Sequence, residues 1–129
     1  MFDKKGSLKI RAYTAGGALP VEGALVRIFG ADDENENIVY SLVTDIDGTT
    51  EKIELPAPSK ILSEYPSSRE TPYASYNVEI EKNGYFTKKL YNLPVFDGVN
   101  SELPIAMIPY SELPENYPRG NVNSFTAST

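Results

Sequence analysis

Asp45, Asp47 and Glu51 fall within seven residues in the stretch "DIDGTTE". Carboxylates that close could begin a calcium loop, an ion that gathers about six to eight oxygens around one point. The same letters also spell a turn, in which Asp accepts main-chain N–H groups and Gly supplies a positive φ. The run of acids stops early, since the next comes only at Glu51, and β-forming residues flank it on both sides. The turn is therefore the favoured reading, and the three acids are weak metal candidates.

Other acids recur at Asp32, Asp33, Glu34 and Glu36, and at Glu79 and Glu81. A glycosidase needs two carboxylates facing each other across a cleft. Nothing in these spacings sets up such a pair, so a solvated acidic face is expected. The nine tyrosines are the other candidates. A phenol ring can stack on a sugar or anchor a protein interface at low entropy cost. Tyr76 shares parity with Val78 and Ile80 and is expected in the core, while Tyr85 should pack beside Gly84. Tyr91 shares parity with Thr87 and Lys89 and is expected to be exposed. Tyr73, Tyr91, Tyr110, Tyr117 and Phe125 are the interaction candidates.

The chain has neither histidine nor cysteine. That removes the commonest general base, the commonest transition-metal ligand and all thiol chemistry. No phosphate-cradling glycine loop, Ser-x-x-Lys or Gly-x-Ser-x-Gly is present. No catalytic residue and no cofactor are expected. A net charge of −6 with scattered Lys and Arg argues against nucleic acid. No apolar run is long enough for a membrane-spanning helix. The opening "MFDKKGSLKIRAY" lacks a leader-type apolar core, which predicts release into the cytoplasm, with any extracellular, spore or particle-surface location reached by assembly.

Any such residues must be held by β-structure. Leu8, Ile10 and Ala12 alternate with Lys9, Arg11 and Tyr13, the period of a half-buried strand. The same alternation marks Ala24, Val26 and Ile28, and then Tyr76, Val78 and Ile80. "IVYSLVT" is rich in branched and aromatic residues, "TTEKIEL" reads as a short strand, and "ELPIAMIP" as the last one. "TAGGALPVEG" and "ADDENEN" read as loops, and Asn83-Gly84 as a tight hairpin with both central residues at positive φ. The longest connection, "PAPSKILSEYPSSRETP", holds four prolines, with room for one helical turn over residues 59–64. About seven strands and no long amphipathic helix predict an all-β antiparallel sandwich. Residues 1–6 read as a flexible start, 7–109 as the sandwich, and 110–129 as an extended polar tail.

The order "GSLKIRAY", "ALPVEGALVRIFG", "VTDIDGTTEKIELP", "YNVEIEKNGY" resembles the carboxypeptidase regulatory-like modules, which are related in architecture to transthyretin and to Cna-B-type modules. The likeness rests on Pro20-Val21-Glu22-Gly23-Ala24, on Thr44-Asp45-Ile46-Asp47-Gly48 and on Gly84-Tyr85, and it covers residues 6–109. "LPAP", "PYASYNVEIEKNGY" and "LPVFDGVNSELPIAMIP" are similar to β-modules of clostridial spore-cortex and peptidoglycan-associated proteins and of phage-type particles. The resemblance implies a prealbumin-like Greek-key sandwich with a non-catalytic, accessory or assembly role. Protein partners follow, including further copies of the chain, with cell-wall glycan as the alternative. Lys9 has outward parity, which disfavours an internal isopeptide bond of the Cna-B type.

Overall fold

The structure is a computed structural model that describes residues 2–14, 18–59 and 72–112. The helical turn expected over residues 59–64 lies, past Ser59, outside the described residues, as do Tyr117 and Phe125. Among the described residues, eight strands form two sheets. The first sheet contains β1 (Lys4–Thr14), β2 (Leu19–Pro20), β5 (Ile53–Ala57) and β8 (Asn100–Ala106). The second runs in the order β4 (Val39–Val43), β3 (Leu25–Gly30), β6 (Ala74–Glu81), β7 (Lys88–Val95). The eighth strand, beyond the seven expected, is the two-residue β2, which lies inside the stretch read as a loop.

Strand parity builds the core as the sequence predicts. Leu8, Ile10 and Ala12 of β1 point inward with Leu55, Ile105 and Met107. Opposite them stand Val26, Ile28, Tyr76, Val78 and Ile80. Alternation places every second side chain on one face, so each strand contributes its apolar set to the space between the sheets. Tyr76 is fully buried, and its hydroxyl donates to the Pro56 carbonyl at 2.6 Å. Burial pushes that phenol up to about 12. A buried Tyr keeps its O–H satisfied in this way.

Four expectations need correction. The sandwich is not wholly antiparallel, because β8 runs parallel to β1, from Ser7 opposite Asn100 to Tyr13 opposite Ala106. The chain leaves β7 beside the start of β1, where the Ser7 amide donates to Val99 and that of Gly98 to Lys5. From there β8 can only run the same way as β1. Second, β1 already begins at Lys4, ahead of the alternation that starts at Leu8, and pairs with β5 through Lys4, Lys5 and Gly6.

Third, β5 continues through Pro56 to Ala57, and β7 runs through Pro94. Both prolines lie on outer edges, where no amide is needed. Fourth, Asn83-Gly84 is not a two-residue hairpin. Gly84 has a φ of +88°, whereas Asn83 is not at positive φ. The Tyr85 amide closes a turn on the Lys82 carbonyl. The next residues then leave the hairpin: Tyr85 bridges Pro109, and the Phe86 amide donates to Ile108, which buries Phe86. Pairing resumes only at Lys88.

Candidate interaction surfaces

The Asp45 turn is built from its own donors. One carboxylate oxygen accepts the Asp47 amide at 2.9 Å, the Thr49 amide at 3.0 Å and the Thr49 hydroxyl at 3.1 Å. The hydroxyl also reaches the second oxygen at 3.1 Å. Main-chain donation from Thr49 is the chief cause that holds the Asp45 carboxyl below its ordinary range. Asp47 and Glu51 are exposed and do not converge on this point, and no group of three or more His, Cys, Asp or Glu arranged to hold a metal occurs among the described residues. The arrangement is that of an Asx-type turn.

Thr44, immediately before it, is buried and ties two segments together. Its hydroxyl accepts the Ala24 amide at 2.8 Å and donates to the Val21 carbonyl at 2.7 Å. The Thr-Asp-x-x-Gly motif therefore works as a joint between the end of β4 and the entry to β3.

Glu79 and Glu81 do not form a solvated acidic face. Arg27, across the strand pair, sits 3.0 Å from Glu79 and 3.3 Å from Glu81, and Lys89 lies 3.6 Å from Glu79. Strand pairing places Arg27 opposite Glu79, and Glu79 opposite Lys89. The missing signal was which strands are neighbours, since no spacing along the chain brings 27, 79 and 89 into one row.

The tyrosine candidates part company. Tyr91 is 59% exposed on the outer face of β7, beside Asn92, whose φ of 59° marks an irregular stretch of the β6–β7 ladder. Phe29, Asn77, Glu79 and Lys89 line a shallow depression of about 150 Å³ with it. Tyr73 packs its ring against Phe96 at 5.4 Å and is half-buried. Tyr110 stands edge-on to Phe86 at 4.8 Å, and its amide donates to the Gly84 carbonyl. It also lines an open groove of about 520 Å³ with Gly23, Leu25, Lys82 and Tyr85. Among the described residues, Tyr73, Tyr91 and Tyr110 thus stand at three separate places.

A second open groove, of about 620 Å³, runs beside β4. Ser41, Leu42 and Val43 form one wall, and Lys9, Thr50, Glu51 and Lys52 the other. Val39 and Val43 are 57% and 62% exposed. Sequence reasoning singled out none of the β4 residues.

No family model matches this sequence. No curated protein matches it either. Solved structures do share its fold. The Bacillus anthracis TIE protein is 20% identical with a TM-score of 0.55, over 83% of this chain and 17% of that one. A DUF3823 family protein from Parabacteroides merdae is 16% identical with a TM-score of 0.54, over 83% of this chain and 47% of that one. Catechol 1,2-dioxygenase from an Acinetobacter species is 12% identical with a TM-score of 0.52, over 90% and 57%. This chain thus spans well under two thirds of each of those proteins. At these identities the likeness is one of fold alone, and a fold does not carry a function with it. The chain is an all-β sandwich of the architecture those three proteins contain.

Proposed function

We propose that this chain is a non-enzymatic β-sandwich module that acts through protein–protein contacts. One observation carries the reading: several of the groups best placed to do chemistry are held by the fold itself. Asp45 closes a turn, Glu79 and Glu81 face Arg27, and the Tyr76 hydroxyl is buried on a carbonyl. What the surface offers instead is apolar, at Val39, Val43, Ile46 and Tyr91. Exposed apolar side chains around polar rims mark contact surfaces more often than reaction sites. The finer form of the reading is a subunit of an extracellular, spore-associated or phage-like assembly, in which some contacts are with further copies of the chain.

The test is binding by the immobilised full chain. It should retain protein in a saturable way that free chain competes away, and sedimentation of the purified chain over a range of concentrations decides whether the partner is itself. Turnover of any substrate by the purified chain would overturn the reading.

A second reading has one observation in its favour. Tyr91 is exposed and shares its depression with Asn77, Glu79 and Lys89, a combination that can stack on and hydrogen-bond a sugar ring. Retention on purified peptidoglycan that Tyr91→Ala abolishes would put this glycan-binding role in place of the first.

A further inference from the structure

Besides the two-residue β2, whose outward position is Pro20, four strands flank the two sheets among the described residues, and three of them are protected against further pairing. The hydrogen-bond pattern shows which main-chain groups of each strand point outward. On β1, Ile10 and Ala12 bond towards the β5 side, so Leu8 and Gly6 pair with Ile53 and Leu55, and the outward positions of β5 are Glu54 and Pro56. On β8, Val99 and Met107 bond to β1, which turns Asn100, Glu102, Pro104 and Ala106 outward. On β7 the outward positions include Lys89 and Pro94, and the ladder is irregular at Tyr91 and Asn92. Each of these edges carries a proline without an N–H and a charged side chain. Such residues stop a sheet edge from recruiting another strand.

β4 carries neither. The Gly30 amide bonds to Ile38 and the Thr44 amide to Ala24, so Tyr40 and Leu42 face β3 and the outward positions are Val39, Ser41 and Val43. Among the described residues no hydrogen bond is made by the outward amides and carbonyls of these three. Their side chains are uncharged and exposed. The edge looks into the 620 Å³ groove, whose far wall is Lys9 and Thr50 to Lys52. A bare edge beside a groove is the geometry by which an extended peptide adds a strand to a sheet, with main-chain bonds for affinity and alternate side chains for register.

Charge selects the occupant. Exposed Asp33 and Glu36 lie before β4, and exposed Asp45 and Asp47 lie after it. Lys9, Glu51 and Lys52 stand on the far wall of the groove, so the acids outnumber the lysines around this edge. A second copy paired about Ser41 would set one copy's Asp33 and Glu36 near the other's Asp45 and Asp47, and like charges across a strand pair repel. We propose that β4 accepts an extended strand from another protein, one with alternating small apolar residues and a Lys or Arg towards each end. This deepens the contact-module reading and rests on it.

The test uses the full chain and a synthetic peptide of about eight residues, alternating valine and threonine with a lysine at each end. A matching peptide with glutamates at its ends is the control. The lysine peptide should slow exchange of the Val39, Ser41 and Val43 amides and should bind more tightly than the glutamate peptide. Ser41→Pro removes one outward donor without breaking a bond to β3 and should weaken binding by about tenfold or more. Val43→Lys, which places a charge on the edge, should weaken it comparably. The proposal falls if saturating peptide leaves those three amides unchanged, if both peptides bind equally, or if neither variant weakens binding. It falls equally if the chain dimerises through β4, seen as a dimer that Ser41→Pro dissolves. Should the immobilised Ser41→Pro variant still retain the same protein partner as the parent chain, the contact-module reading survives and the β4 assignment alone is lost.

Discussion

Replacing Thr44 by valine keeps the shape of the side chain and removes one hydroxyl. Thr44 is 3% exposed. Its main chain would keep its bonds to Gly23 and Ala24. What is lost is the acceptor for the Ala24 amide at 2.8 Å and the donor to the Val21 carbonyl at 2.7 Å. A buried polar group left without a partner costs about 1–3 kcal/mol. An orphaned N–H, with no second bonding site, belongs near the top of that range, and a carbonyl, with two lone pairs, near the bottom. The methyl gained offsets little in so confined a place. The sum is about 2–4 kcal/mol, or a fall in Tm of roughly 8–15 °C for a domain of this size. Thr49→Val is the control, because its hydroxyl meets only the exposed Asp45 carboxylate and should cost less than about 1 kcal/mol. Urea unfolding of both variants, with unchanged m-values, supplies the measurement. A Thr44→Val variant within about 0.5 kcal/mol of the parent, or no worse than Thr49→Val, would refute the claim that this hydroxyl joins β4 to the entry of β3.

Other perturbations follow from the same geometry. The folded-state pKa of Asp45 is depressed, so its contribution is full above the ordinary carboxylate value of about 3.9 and is lost as pH falls through the lower folded value. Urea midpoints between pH 5 and 2 should therefore fall further for the parent chain than for Asp45→Asn. A β-carbon on Gly30 would collide with the main-chain carbonyl of Asn35, whereas one on Gly84 meets nothing. Gly30→Ala should thus cost more than about 3 kcal/mol, and Gly84→Ala only about 1 kcal/mol for its positive φ, as read by thermal unfolding. Arg27→Ala removes ion pairs that are partly exposed and should cost no more than about 1 kcal/mol, a loss that shrinks at high salt.

Much of the architecture is legible in the sequence, for a physical reason. A side-chain period of two is local, so Leu8-Ile10-Ala12 and Tyr76-Val78-Ile80 announce both the strand and its buried face. The turn at Asp45 is local as well, its donors lying two and four residues away. Pairing between strands is not local. The parallel match of β8 to β1 joins residues 93 apart, as between Ser7 and Asn100, and no periodicity encodes it. The same blindness hid the row of Arg27, Glu79 and Lys89. It also hid the bare edge of β4: the prolines at 56, 94 and 104 can be read from the letters, but they gain meaning only once those strands are known to be edges. Asn83-Gly84 shows the converse error, a strong local hairpin signal overridden when Phe86 is drawn into the core.

Residue-resolved hydrogen exchange on the free chain tests the central claim most directly. If β4 is an edge strand with one bonded side, the amides of Tyr40 and Leu42 exchange slowly while those of Val39, Ser41 and Val43 exchange fast, in strict alternation. Uniform protection from residue 39 to 43 would show that the edge is already covered, and uniformly fast exchange would show that β4 is not paired with β3 at all.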